Sequence, residues 1–301
     1  MSIRPIKSIV QAQPTIEGAG VHLRRAFGFG KTDEFDPFLL FDDFRNDNPA
    51  DFLAGFPWHP HRGIETITYV LTGTVAHGDS LGNKGTLGAG DVQWMTAGSG
   101  IMHQEMPKGD PQGRMYGFQL WANLPASHKM MDPRYRDVKS GDMPAVTRKD
   151  GTAIRVICGA FDGVQGPVRD IVTDPEYLDV TVAANSEFTH LTKRGHTVLA
   201  YVIGGKGEFC HEINPFSYEI EGANYFDTQI ERLIGNESLI LFDDGDAVTV
   251  STGNEQVRFL LISGKPIGEP VAWYGPIVMN TREELRVAYD ELNQRTFIKR
   301  R

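Results

Sequence analysis

With 301 residues, 40% of them hydrophobic and 23% charged, the chain is long enough to bury a sizeable core and to form two domains. A formal net charge of −9 argues against direct nucleic-acid binding, which needs concentrated Lys and Arg. Cys158 and Cys210 cannot build a disulfide framework and lack metal-site spacing, no apolar run approaches the roughly 20 residues of a membrane span, and MSIRPIKSIVQAQP has no signal-peptide character, so a cytoplasmic protein without membrane contact is expected.

Short apolar or alternating runs follow one another along the chain, punctuated by Gly, Asp, Asn and Pro. In order they are 21–27, 37–44, 66–72, 92–96, 117–122, 154–160, 178–182, 198–203, 239–242, 247–251 and 257–263. That spacing predicts an all-β sandwich or barrel. The pattern breaks only at the end. Thr281-Arg282-Glu283-Glu284 reads as a capping box, and Leu285, Ala288, Tyr289 and Leu292 follow at helical spacing. One amphipathic helix is predicted to close the chain.

Two stretches carry the chemistry: HPHRGIE (59–65) and HQE (103–105). In a strand, residues i and i+2 share a face, so His59 and His61 aim one way together, as do His103 and Glu105. Glu65 has the same parity as His59 and His61, and alternation alone leaves it open as a further candidate ligand. Other motifs have bland readings. GFGKT (28–32) lacks the first glycine of a phosphate loop and is read as a turn, as is EGAG (17–20). His77-Gly-Asp79 is read as a surface turn. The acidic run 33–51, with Asp36, Asp42, Asp43, Asp47 and Asp51, is read as a solvated rim around a buried PFLLF strand.

The chain also repeats itself. TYVLTG (68–73) resembles AYVIGG (200–205), GDVQWMTAG (90–98) resembles GDAVTVSTG (245–253), and FQLWANLP (118–125) lines up with FLLISGKP (259–266). Their common order indicates two copies of one β unit, joined within 125–151, which divides the chain into domains 1–135 and 136–301. Carried across the first match, His59 and His61 fall on Leu191 and Lys193. The interval 98–118, which holds His103 and Glu105, has a much shorter counterpart at 253–259. The second copy is therefore expected to lack the ligand set. Segment 207–238 reads as an insertion carrying Cys210, His211, Phe216, Tyr218, Tyr225 and Phe226, a surface for a partner or a cover for its own barrel.

FPWHPHRGIETITYVLTG, GDVQWMTAGSGIMHQEMP, the upstream DPFLLFDDFR and the ending WYGPIVMNTREEL together resemble the pirin family, within the cupin superfamily, over nearly the whole chain. The resemblance implies two tandem cupin barrels of jelly-roll type, the N-terminal one holding a single divalent metal on His59, His61, His103 and Glu105. It implies Fe(II) first, and three imidazoles with one carboxylate also suit Mn, Ni, Co, Cu or Zn. Glu65 would then orient a histidine or Arg62, while Phe56, Trp58, Trp94, Met95, Met102 and Met106 would line an apolar pocket. Two functions are implied. One is a dioxygenase that opens a flavonol such as quercetin with O2, with Glu105 as base and catalytic residue. The other is a non-catalytic, redox-sensitive iron protein that regulates a transcription factor or metabolic enzyme by contact.

Overall fold

A computed structural model describes residues 1–211, 219–221 and 232–299. The fold is all-β, with two β-barrels and, among the described residues, one C-terminal α-helix, Arg282–Asn293, beside a short α-helical turn at Thr32–Phe35 and 3-10 turns at Pro49–Asp51 and Ser140–Asp142. Among the described residues no helix is long and apolar enough to cross a membrane. The first twelve strands are β1 (Ile6–Gln11), β2 (Gln13–Glu17), β3 (Val21–Phe27), β4 (Phe38–Asp43), β5 (Phe56–His61), β6 (Ile64–Thr72), β7 (Thr74–Asp79), β8 (Lys84–Leu87), β9 (Val92–Thr96), β10 (Ile101–Lys108), β11 (Tyr116–Asn123) and β12 (Arg134–Val138).

The chain divides into two compact units, but not at one point. Residues 14–140 and 267–301 form one, residues 1–13 and 141–266 the other. A contiguous split into 1–135 and 136–301 is therefore corrected at both ends. The reason lies in strand pairing and burial. β1 has a buried apolar face of Ile6 and Ile9 and pairs with Ser238–Phe242, so it belongs to the later unit's sheet and core. The closing helix instead buries Ala288, with Leu285, Tyr289 and Leu292, against Ile277, Met279 and Phe297 of the earlier unit. Its start is built as predicted: Thr281 Oγ1 accepts from the Glu284 amide at 3.2 Å, and Glu284 accepts from the Thr281 amide at 2.9 Å.

In the first unit, a seven-stranded sheet in the order β12-β9-β6-β11-β4-β3-β2 is accompanied by a four-stranded sheet in the order β5-β10-β7-β8. A core of Val21, Leu23, Phe52, Val70, Val75 and Leu87 draws on both. In the second unit the central strand is Thr197–Phe209, paired with Ser238–Phe242 on one side and Val257–Gly264 on the other. Its interior is filled by residues such as Ile154, Leu178, Phe188, Val202, Val248 and Phe259.

The sequence repeat is real in order but shifted in register. β6 lies between β9 and β11, as Thr197–Phe209 lies between Ser238–Phe242 and Val257–Gly264. By pairing, the counterpart of β9 is thus Ser238–Phe242, and that of β10 is Ala247–Ser251, which pairs with Glu187–Leu191 as β10 pairs with β5. The ligand strand of the second barrel is present, and its core-packed positions there are Val248 and Val250. The second barrel thus has a strand in the place of β10, with valines at the core-packed positions instead of a histidine and a carboxylate. Within the 207–238 insertion, Phe216, Tyr218, Tyr225 and Phe226 lie outside the described residues; Cys210, and Cys158 elsewhere in the unit, are not joined in a disulfide.

Candidate metal centre

Pro57 and Pro60 within FPWHPH lack the amide hydrogens a central strand needs, and β5 accordingly lies at the edge of its sheet. Along β10 burial alternates: Ile101, His103, Glu105 and Pro107 are buried, and Met102, Gln104 and Met106 less so. His59 stands directly opposite His103, and His61 opposite Ile101. A one-residue slip after His103 sets Glu105 opposite Phe56, with His77 of β7 on its other side. The three imidazoles gather tightly. Ring centroids are 4.3 Å apart for His59–His103 and 4.9 Å for His59–His61 and for His61–His103. One ring nitrogen from each lies within 4.8 Å of the others.

Hydrogen bonding fixes which nitrogens face inward. His59 Nδ1 is 2.7 Å from the Pro57 carbonyl, and His61 Nδ1 is 3.0 Å from the Pro276 carbonyl. A carbonyl only accepts, so both Nδ1 atoms carry hydrogen and both Nε2 atoms present lone pairs. Those two Nε2 atoms are 3.1 Å apart. Two facing lone pairs need an electrophile between them. Among the described residues the buried His103 Nε2 likewise has no hydrogen-bond partner. A proton is a poor answer, because burial, with His59 adding to it, lowers His61 to about 3. Burial and the neighbouring histidines also hold His103 well below the ordinary histidine range. The donor set fits a divalent metal cation, which accepts all three lone pairs and needs the imidazoles neutral.

The Glu105 carboxylate stands outside the group of nitrogens that close within 4.8 Å. It is buried, which raises its pKa against the opposing pull of His59, Thr68 and His77. Thr68 Oγ1 lies 3.0 Å from its Oε1 and 2.5 Å from Gln119 Oε1. His77 is buried rather than a surface turn. It bonds the Tyr135 hydroxyl and Asp137, the latter at 3.1 Å, so Glu105 has a polar backing. His59, His61 and Glu105 open onto one cavity of about 660 Å³, with Leu40, Phe56, Trp58 and Trp121 among its apolar walls.

Several expected pocket residues are elsewhere. Gly63 makes the turn between β5 and β6 at φ +76°, where a Cβ would lie 1.9 Å from the Val278 carbonyl. That turn resets strand parity. Thr68 lines the cavity, so Glu65, three residues earlier on the same strand, faces the opposite way. Glu65 accepts from Thr96 Oγ1 at 2.6 Å and orients neither a histidine nor Arg62. Trp94 pairs with Ile67, on the Glu65 face, and Met95 packs among Leu39, Ile64 and Ile101. Met102 and Met106 fall on the face of β10 opposite His103. Arg62 anchors the chain's end: it donates to the Ser99 and Phe297 carbonyls, pairs with Glu291 at 2.7 Å and lies over the Phe297 ring. Of the expected pocket set, Phe56 and Trp58 line the cavity.

Sequence reasoning missed Thr68, Gln119, Arg25, Asp42 and the Pro276 carbonyl. Polar residues within TITYV, FQLWAN and FLLFDD were a usable signal for Thr68, Gln119 and Asp42, but not for Arg25 or the Pro276 carbonyl. Asp42 and Asp43, read as solvated rim, are buried and paired with Arg25 and Arg45.

A family model described as Pirin matches residues 20–122, and one described as Pirin C-terminal cupin domain matches residues 177–298. A Pirin-like protein of Caulobacter vibrioides is 41% identical over 298 residues, 99% of this chain and 100% of that relative. A Pseudomonas aeruginosa protein carrying a provisional quercetin 2,3-dioxygenase name is 40% identical over 289 residues, 95% of each chain. Among solved structures, a quercetin 2,3-dioxygenase from Acinetobacter baumannii superposes with a TM-score of 0.82 at 29% identity, covering 98% of this chain and 99% of its own.

Proposed function

The chain belongs to the pirin family, and from that footing we propose that its first barrel is a mononuclear, metal-dependent dioxygenase acting on a flavonol such as quercetin. The observation that carries the reading is the pair of facing Nε2 lone pairs on His59 and His61, joined by a partnerless His103 Nε2, at the wall of a largely apolar cavity. His59, His61 and His103 would hold the metal, with Glu105 as the fourth ligand. Fe(II) is the first candidate; Mn, Ni, Co, Cu and Zn suit the same nitrogen and oxygen donors. The metal, when bound, supplies Lewis acidity and a partner for O2.

The chain's own residues do the rest. Pro57 and Pro276 carbonyls fix the tautomers of His59 and His61, so the inward nitrogens stay available. Glu105 takes the proton of the flavonol 3-hydroxyl, and its burial-raised pKa makes it a stronger base than an exposed carboxylate. Thr68 holds that carboxylate in place. Leu40, Phe56 and Trp121 offer flat apolar surface to an aromatic ring and keep water from the reacting carbon. A second reading, a redox-sensitive protein working through a protein partner, draws support from Phe29 and Trp58, which are 74% and 52% exposed beside the cavity.

Anaerobic purification, elemental analysis and O2 uptake with quercetin separate the two. Metal-dependent O2 uptake with carbon monoxide release, lost in Glu105→Gln with the metal and fold retained, is the expected result. Full metal occupancy without turnover rejects the dioxygenase and favours the partner protein.

A further inference from the structure

Six strands of the seven-stranded sheet place polar residues directly opposite one another in a single row. Arg25 of β3 faces Asp42 of β4, which faces Gln119 of β11, then Thr68 of β6, Gln93 of β9 and Asp137 of β12. A barrel interior normally sets apolar side chains in such a row, as the second unit does. Here the first four of the six line the cavity onto which His59, His61 and Glu105 also open.

Most of the row is internally satisfied. Arg25 donates twice to Asp42, at 2.7 Å each, and its remaining nitrogen meets Glu17 at 2.8 Å. Thr68 gives its one hydroxyl hydrogen to Glu105, so its close approach to the Gln119 amide is met by that amide's NH2 donating to Thr68 Oγ1, and Gln93 donates to the Tyr135 hydroxyl. Among the described residues no direct hydrogen bond joins Asp42 to Gln119, Thr68 to Gln93 or Gln93 to Asp137, although each pair are cross-strand neighbours, and of these gaps only Asp42–Gln119 has both members on the cavity. Each Asp42 oxygen keeps a further lone pair after the Arg25 bonds, and Gln119, giving one Nε2 hydrogen to Thr68, keeps its second. Both residues line the cavity. An acceptor and a donor one strand apart match a hydroxyl, which gives a hydrogen to the first and accepts one from the second.

Resting on the flavonol reading above, we propose that Asp42 and Gln119, braced by Arg25 and Thr68, form a second polar subsite that binds a phenolic hydroxyl on the ring remote from the histidines. The ligand class is thereby narrowed to flat polyphenols with oxygen functions at both ends and an apolar middle that meets Leu40, Phe56 and Trp121. Arg25 acts as a positioning residue, fixing the Asp42 carboxylate so that its free lone pairs serve the ligand.

Trp58, Trp121 and Trp273 line the cavity, so quenching of their fluorescence reads binding without turnover. The test uses metal-loaded full-length protein under anaerobic conditions with galangin, kaempferol and quercetin, which carry none, one and two hydroxyls on the pendant ring. Wild type should bind the hydroxylated pair roughly tenfold or more tighter than galangin. Gln119→Leu, and separately the double variant Arg25→Met/Asp42→Leu, which removes the buried carboxylate together with its arginine and leaves only the exposed Glu17 without that partner, should bring the three affinities together while galangin keeps its own. Should the double variant fail to fold, Gln119→Leu alone decides. Equal affinities in wild type, no binding of any of the three, or discrimination that survives in the folded variants overturns the subsite. Oxygen uptake on aerobic wild type judges the dioxygenase reading separately: discrimination without uptake sinks that reading and leaves the subsite standing.

Discussion

Acidifying the metal-free protein should unfold the first unit through His61. Its imidazole is fully enclosed, and burial lowers its pKa from an ordinary 6.5 to about 3 in the folded state. A group whose folded pKa is depressed contributes stability that is complete above its unfolded pKa and is lost as pH falls toward the folded one. Between about pH 7.5 and about pH 5 the unfolded chain takes up a proton that folded His61 refuses, and linkage puts the loss near 2 kcal/mol for this residue alone. His103, depressed in the same direction, adds to it. The assay is urea unfolding followed by tryptophan fluorescence. All four tryptophans, Trp58, Trp94, Trp121 and Trp273, belong to the first unit, so the signal reports the barrel that carries the site. Wild type is compared with His61→Leu at both pH values. The variant loses a donor to the Pro276 carbonyl, a penalty independent of pH, so the comparison rests on slopes. The difference between the two proteins should shift by about 2 kcal/mol in favour of the variant on acidification. Parallel slopes would refute the claim that this histidine is held neutral by burial.

Three further outcomes are expected. His103→Leu should lose stoichiometric metal by elemental analysis, yet metal-free variant and metal-free wild type should unfold within about 1 kcal/mol of each other, because a partnerless buried nitrogen has no hydrogen bond to lose; retained metal would remove His103 from the ligand set. Thr68→Val should move the acid limb of the kcat/KM profile to higher pH, since the Thr68 hydrogen bond lowers the Glu105 pKa and its loss leaves burial unopposed there; an unmoved limb would separate Thr68 from the base. Lys129→Met should cost about 2–5 kcal/mol in urea unfolding. Lys129 Nζ donates to the Gly63 carbonyl, Asn123 Oδ1 and the Val278 carbonyl, and all three would lose that donor, Asn123 Oδ1 keeping only the Leu124 amide. A variant of wild-type stability would mean that water replaces the amine.

The sequence by itself determined whatever depends on short-range periodicity. Alternation made the strands of HPHRGIE and HQE, set His59 with His61 and His103 with Glu105, and Thr281 with Glu284 started the closing helix, because each of these is decided within a few residues of backbone geometry. Repeats could show that the chain holds two related units, but not which strands correspond, since the shift of β10 onto Ala247–Ser251 becomes visible only through cross-strand pairing. Tertiary structure alone decided the rest. A glycine turn at Gly63 reversed the parity that kept Glu65 in contention, and β1 and the closing helix each joined the unit more distant in sequence. The Pro276 carbonyl meets His61 across 215 positions, and Arg25, Asp42, Gln119 and Thr68 share one row only once four separate strands are in register. Such meetings are fixed by which apolar faces find each other on folding, a property of the packed whole that no local pattern encodes.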